Sequence, residues 1–465
     1  MVALALGLWR IDRQDSMWRD ESVTYQVAHR SLGELFGLLC HIDAVHGLYY
    51  LLMHGVFVLW DGGLVALRLP SVLATAMAAA GVGAIGARLA GRPTGVIAGL
   101  VFALLPVTQH YAQEGRSYAL VTAGVTWATY MFLRGCRDPR ARWWTLYGVV
   151  LGLACWLHEF AALAIVAHGL TLWRLRVSQR LWRCWGISAV GVSLCLLPLA
   201  AVSAGQADEQ LGWLGRPGLT SWLQFAGISI VGWLLCRFLV RRTGRRDLAA
   251  MALPMLVAPA GLLMAVSLVK PWYVERYVLY GMTGLALPAG AALAWAVEQR
   301  HRLVPVARVL TGCLVAVATI AVLLPWSLFV RTPESRKDDA VAVAEAVARS
   351  ADEGDGVLFM PARRREWLLS YPTVLGRLDD LALAESPSVS RTLQGTELPP
   401  ETIRRHMLAT DRIIALTDPA GQPLDPFPQE EAKRQTLKEH FEICDRTEVH
   451  GAQVLVYSRS GHCSP

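Results

Sequence analysis

Charge is what this chain of 465 residues has least of: Asp, Glu, Lys and Arg together make up 17%, against roughly a quarter in an ordinary soluble domain. With 54% hydrophobic residues, that deficit excludes a wholly soluble globular protein. Zinc-ribbon and dithiol chemistry lack their motifs. Nine cysteines occur, but none forms a CxxC pair, and Cys155, Cys195, Cys236 and Cys313 lie in apolar segments where a thiol behaves as a small hydrophobe. Nucleic acid is not an expected partner, because the net charge of +7 is not gathered into a basic patch alternating with aromatics. A cleavable signal peptide is missing too. Met1 to Leu8 is apolar but too short to span a bilayer and carries no cleavage site, so the first helix is expected to be completed upstream of Met1.

What is present is a series of apolar runs. Stretches of about 18 or more residues without Asp, Glu, Lys or Arg recur to about position 330, each long enough for a hydrocarbon core of about 30 Å. Spans are expected near 47–60, 64–87, 94–112, 117–133, 143–157, 160–174, 184–202, 219–236, 248–269, 277–297 and 309–329. Arginines orient them. The loops Arg134 to Arg142, Arg174 to Arg183, Arg237 to Arg246 and Arg300 to Arg308 are assigned to the cytoplasm by the positive-inside rule. The turns around Arg116, His158 and Lys270 to Tyr277, and everything after Arg331, then fall outside. If 47–60 and 64–87 make one crossing with a half-buried segment, the loop at 10–46 joins them, giving about eleven crossings with the truncated first.

After Arg331 the composition becomes that of a soluble domain. An alanine-rich amphipathic helix is expected over Asp338 to Ser350, strands at 356–360, 412–416 and 453–457, and a helix over Gln429 to His440. This makes a small C-terminal α/β domain. Cys444 and Cys463 can pair there if it faces an oxidising compartment.

The chemistry-bearing residues cluster at one boundary. Asp20 and Glu21 are adjacent in Trp18-Arg19-Asp20-Glu21-Ser22; one carboxylate can accept a proton while the other binds a metal or tunes the first. They also read as the acidic first turn of a surface helix. His41, Asp43 and His46 suit zinc or manganese, or simply face water. Arg68 and Arg116 sit at the ends of apolar stretches, where a guanidinium needs an anionic partner and phosphate matches its fork, unless it snorkels. Lys270, Glu275, Arg276 and Tyr277, with Trp272 and Tyr273, could hold a lipid phosphate or anchor the interface. His158-Glu159 is a ligand-bearing turn or a plain loop. His54 and His168, in apolar helices, read as core histidines.

Taken in order, Asp20-Glu21, the His-x-x-Tyr-Tyr of His46 to Tyr50, the Arg-Leu-Pro-Ser helix start at Arg68 to Ser71, the Gln-x-x-Arg-x-Tyr of Gln113 to Tyr118 and Arg276-Tyr277 resemble the polytopic GT-C glycosyltransferases. The branch most similar is that of protein O-mannosyltransferases and aminoarabinose transferases, glycosyltransferase family 39-like. The resemblance spans about residues 10 to 330. It implies a transmembrane glycosyltransferase domain over 1–330 and an extracytoplasmic α/β domain over 331–465, in the plasma membrane. A sugar, mannose or similar, would pass with inversion from a polyprenyl-phosphate donor to a protein, lipid or glycan hydroxyl on the outer face.

Carried over, Asp20 is the general base and Glu21 its neighbour. Arg68, Arg116, Arg276 and Lys270 hold the donor phosphate, while Asp43, His46, Tyr50, Tyr118 and Tyr277 meet substrate or acceptor. Glu21, His46 and His158 would hold a divalent ion such as Mg, Mn or Zn. Two departures stand out: His46-Gly47-Leu48 replaces the usual His-Pro-Pro, and Val121-Thr122 stand where relatives often carry an aspartate. The rival class is a transporter or flippase for a lipid-linked or anionic solute. Against it, ionisable residues are nearly absent from the apolar cores between about 184 and 329, where carriers place them.

Overall fold

The computed structural model describes residues 1–211, 214–299, 305–461 and 463, with main chain only at 208–211, 305–309, 311–313, 315 and 316. The fourth basic loop lies outside the described residues at 300–304. The chain divides into two compact units: Met1–Ile11, Asp43–Tyr49 and Arg68–Val330 form the first, and Asp12–Ile42, Tyr50–Leu67 and Arg331–Pro465 the second. This differs from a single break at residue 330, because 12–42 and 50–67 group with the tail.

The first unit is helical and belongs to a multi-pass membrane protein. Gly63–Ala90, Gln179–Ala207, Leu219–Thr243, Arg246–Val266 and Glu275–Gln299 are long and apolar enough to cross a bilayer, and Arg92–Leu104 with Pro106–Ala112 makes a sixth candidate bent by 66°. Eleven spans were expected. Most of the remainder are helices as well, at Tyr118–Arg137, Ala141–Leu157, Leu163–Leu175 and Pro305–Phe329. The first three fall short in apolarity or length; Tyr118–Arg137, for one, turns Thr122, Thr126 and Thr129 into the protein interior, whereas Pro305–Phe329 is an apolar helix of 25 residues. Lipid-facing helices look different: Ile187, Val190, Leu194 and Leu197 are all exposed on Gln179–Ala207. Without a hydrophobic drive between helices in lipid, close packing of small residues holds them together. At Gly290 any Cβ would stand 2.5 Å from Ala98 main-chain atoms, so only glycine permits that crossing. His168 has both ring nitrogens occupied, by Thr129 Oγ1 at 2.9 Å and Tyr147 Oη at 3.0 Å, as a core histidine should.

The second unit carries a mixed sheet. Its strands are β1 (Gly356–Met360), β2 (Asp379–Asp380), β5 (Arg412–Thr417), β6 (Phe441–Val449) and β7 (Ala452–Arg459), while β3 (Leu383–Glu385) and β4 (Thr396–Glu397) pair separately. The order is β2-β1-β5-β7-β6, with β1 parallel to β2 and β5, and β7 antiparallel to β5 and β6. The expected helices appear at Ala340–Ser350, capped by Asp339 on Val341 and Ala342 N–H, and at Pro428–His440. Strand β6 was not expected: its Glu442, Asp445, Arg446 and Glu448 make an edge strand too polar to read as one. Cys444 and Cys463 are disulfide-bonded.

The segment after Ile11 is built into this unit by polar contacts. Arg19 Nε donates to Glu366 at 2.5 Å, Ala340 N–H donates to the Met17 carbonyl, and Ser22 Oγ donates to the Glu366 carbonyl at 2.6 Å. Asp20 and Glu21, expected in a loop, lie instead in the first turn of helix Arg19–Ala28. Carboxylates there complement the helix N-terminus.

Candidate functional site

Three breaks in the helices of the first unit deliver its polar groups. Pro106 has no N–H to continue the helix Arg92–Leu104, and the chain turns through Pro106–Ala112 to Gln113-Glu114-Gly115-Arg116. Gln113 Nε2 pins this turn by donating to the Gly7 and Trp9 carbonyls at 2.9 and 2.7 Å, and Ser71 Oγ donates to the Arg116 carbonyl at 3.1 Å. The second break is His158, whose extended backbone ends helix Ala141–Leu157. The third is the irregular turn Glu275–Met282, which presents Arg276 and Tyr277.

These breaks converge. Arg276 Nε donates to the Tyr118 phenol at 3.1 Å, and its guanidinium lies 5.5 Å from the Tyr118 ring and 5.7 Å from Tyr277. The His158 ring is 4.5 Å from Tyr277, 5.9 Å from Tyr118 and 5.7 Å from His46. Every member is buried. Tyr111, which sequence reasoning missed, donates to Glu275 at 3.0 Å; its place one turn before Glu114 in an apolar stretch was the available signal.

Burial first, then the charges of Arg116 and Arg276, push the His158 ring down from 6.5 to about 3, and the same causes hold His46 well below its ordinary value. Both rings are neutral at physiological pH. The cluster's positive charge therefore resides on the two arginines, with Glu114 and Glu275 in the same turns. His158 Nδ1 is buried with no hydrogen-bond partner among the described residues. A pH consequence follows from these depressed values. The unfolded chain takes up a proton at each ring below about 6.5, the folded chain only near 3 for His158, so stability is complete above that window and falls as pH drops through it. The slope is at most about 1.4 kcal/mol per pH unit per ring. Thermal unfolding of the full chain between pH 8 and 4.5 should show this loss, and His158→Gln should lessen it, His46 keeping its share.

The other expected residues are placed differently. Arg68 and Ser71, expected at a helix start, lie within helix Gly63–Ala90; Arg68 is wholly buried and donates to the Ile11 carbonyl at 2.8 Å. Lys270 is exposed beside Trp272, at 5.9 Å. Asp43 is buried in a left-handed turn, 3.9 Å from His46. Tyr50, Asp20 and Glu21 belong to the second unit. There Asp20 is half-buried, whereas Glu21 is fully buried against Arg13 at 2.5 Å, a partner the sequence did not suggest. The expected metal set is not assembled: among the described residues no three His, Cys, Asp or Glu side chains gather as ligands. Glu21 is committed to Arg13.

A helical membrane unit with an internal arginine–tyrosine–histidine cluster, joined to an α/β unit, defines a polytopic membrane protein. Comparison makes the class finer. Residues 48–204 match the family model described as dolichyl-phosphate-mannose-protein mannosyltransferase. ArnT from Cupriavidus metallidurans in the apo state superposes with TM-score 0.60 at 14% identity, over 98% of this chain and 96% of that one. ArnT bound to undecaprenyl phosphate gives 0.58 at 14%, over 100% and 98%. AglB from Archaeoglobus fulgidus, in complex with an inhibitory peptide and a dolichol-phosphate, gives 0.51 at 13%, over 100% and 74%. These are GT-C glycosyltransferases, and this chain shares their fold. No curated protein matches the sequence.

Proposed function

We propose that this protein is an integral-membrane glycosyltransferase that moves a sugar, mannose or similar, from a polyprenyl-phosphate donor to an acceptor hydroxyl, with inversion. The observation that carries the reading is the gathering of Arg276, Tyr118, Tyr277 and His158, all buried inside the helical unit, with the buried Arg116 two residues before Tyr118. The fold-sharing ArnT, solved with undecaprenyl phosphate, supports it.

In this mechanism the acceptor oxygen attacks the anomeric carbon as the bond to the lipid phosphate breaks, and the acceptor proton passes to Asp20. Charge growing on the departing phosphate oxygen is met by Arg116 and Arg276, with the Tyr118 phenol ordering Arg276. A lipid phosphate already leaves readily, so positioning, one base and cationic clamps suffice. Arg68 ties down the N-terminal segment through Ile11, and Glu21 is the anchor of Arg13. No step runs through a metal. The acceptor is a protein, lipid or glycan hydroxyl, the membrane is the plasma membrane, and the second unit with the base faces outward, in keeping with the arginine-rich loops on the opposite side.

The test is transfer of radiolabelled sugar from polyprenyl-phosphate mannose and related donors to membrane acceptors, wild type against Asp20→Asn at matched folded amount. Wild-type transfer is expected, with a drop of about 10²–10⁴-fold in the variant. Transfer that survives the substitution removes Asp20 as base. Absence of transfer with every donor removes the enzyme reading.

A further inference from the structure

The second unit contains a cavity of about 390 Å³, inside the roughly 300–1,000 Å³ range of small-molecule sites. None of the transfer residues proposed above lines it. Its wall combines Tyr25, His29, Arg30, Asp61, Ser370 and Ser388. Tyr25 and His29 stand four residues apart on and just after helix Arg19–Ala28, hence on one face. Their ring centroids are 4.3 Å apart, and His29 stacks on the buried Phe57 at 4.4 Å. Asp61 comes from the link between helices Gly47–Leu59 and Gly63–Ala90. Its carboxylate, 54% exposed, lies 3.4 Å from His29 Nε2 and accepts from the Tyr25 phenol. Gly62 lies against the half-exposed Trp60 indole, 2.4 Å from where a Cβ would stand.

The charges in this wall select a ligand class. Arg30 is the one cation lining the cavity apart from any protonated His29, and its guanidinium is already used. Nε and Nη2 donate to Gln26 Oε1 at 3.2 and 2.9 Å, Nη2 also donates to the Thr392 carbonyl at 3.0 Å, and Nη1 to the Pro387 carbonyl at 3.4 Å. It braces the wall and does not present a fork to an anion. Asp61 repels one. Burial, then Asp61, pushes the Tyr25 phenol up, so it remains a donor. Ser370 Oγ is taken up by Ser22, donating to its carbonyl at 3.1 Å and lying 2.7 Å from its hydroxyl, so what remains is an accessible carboxylate, the Ser388 hydroxyl and two ring surfaces. A carboxylate receives hydroxyl donors in charge-assisted bonds, and aromatic rings cover apolar C–H faces. A neutral pyranose offers both at once.

We infer that this cavity is a binding subsite for a neutral hexose, with Asp61 receiving its hydroxyls and Tyr25 and His29 covering its apolar face. The subsite stands independently of the transfer reaction, and binding is measured without it. The experiment is saturation-transfer NMR on the full chain in lipid nanodiscs, titrated with methyl α-D-mannopyranoside, methyl β-D-glucopyranoside and methyl β-D-glucuronide. Saturation of at least one neutral glycoside is expected, with affinity about tenfold lower in Asp61→Asn, as for loss of a charged hydrogen-bond partner. Ser388→Trp, which fills the cavity from its lining, should abolish it, and Tyr25→Leu, which removes a ring and keeps the Asp61 carboxylate, should weaken binding. No saturation by either neutral glycoside in protein of unchanged Tm overturns the inference. So does tighter binding of the glucuronide, or equal affinity in Asp61→Asn and wild type.

Discussion

Replacing Arg276 by alanine is expected to lower sugar transfer by about 10²–10³-fold while leaving the protein folded, the cost of removing one preorganised charge from a developing oxyanion. Arg276 is buried at the helical unit's irregular turn, and its Nε is oriented by the Tyr118 phenol at 3.1 Å. The charge is therefore fixed before substrate arrives, which is what separates a catalytic clamp from a mobile surface arginine. Arg276→Lys should recover only part of the loss, because an ammonium lacks the planar fork that matches phosphate. Tyr118→Phe should cost less, about tenfold, since the charge stays and only its orientation loosens. Arg116→Ala belongs with Arg276→Ala. If both act on one phosphate, the double variant will fall short of the product of the singles. The measurement is single-turnover transfer from saturating donor, compared with donor affinity. A loss confined to affinity, with the chemical rate intact, would assign the arginines to ground-state binding only.

Glu21→Gln is expected to do the opposite of Asp20→Asn: it should destabilise the second unit by about 3–5 kcal/mol, the usual cost of stripping one partner from a buried ion pair. Both Arg13 and Glu21 have fully buried side chains, 2.5 Å apart, and Arg13 Nε also donates to Ser16 Oγ at 3.2 Å. Arg13, Gln14 and Asp15 all adopt left-handed backbone, with φ of 53°, 60° and 61°. That conformation is unfavourable for side-chain-bearing residues, and the ion pair, with the Ser16 bond, helps hold its first residue in place. Removing both charges in Arg13→Met with Glu21→Leu should restore much of the stability, because no buried charge is then left alone. Thermal unfolding of wild type, Arg13→Met, Glu21→Leu and the double variant gives the coupling energy directly. Transfer per folded molecule should stay near wild type in Glu21→Gln. A Glu21→Gln protein with wild-type Tm and no transfer would return Glu21 to the chemistry.

These two carboxylates illustrate what could be read in advance. Their adjacency was legible, but whether they act together was not. Consecutive residues of a helix point about 100° apart, and in helix Arg19–Ala28 that angle puts Glu21 in the interior and leaves Asp20 half-exposed. Arg68 is similar. An arginine in an apolar stretch has to find a partner, yet nothing local indicated that one partner would be the Ile11 carbonyl. In the tail, β1, β5 and β7 were legible as apolar runs because both faces or one full face are covered. β6, buried only at Phe441 and partly sheltered at Cys444, Thr447 and Val449, carried the charges of an edge.

Sequence alone determined that this is a polytopic membrane protein with an α/β tail, since apolar length and charge density depend only on local composition. The order of its polar turns was likewise a property of the chain read in one dimension. Tertiary structure decided which turns meet. His46, Arg116, His158 and Arg276 lie on elements far apart in sequence, and their convergence rests on helix packing, through close approaches such as Gly290 on Ala98, and on carbonyl ties such as Gln113 to Gly7 and Trp9. It also decided that segments 12–42 and 50–67 join the tail in one unit. Such grouping is written in no single stretch, because each tie, as between Arg19 and Glu366, has half its energy on a residue hundreds of positions away.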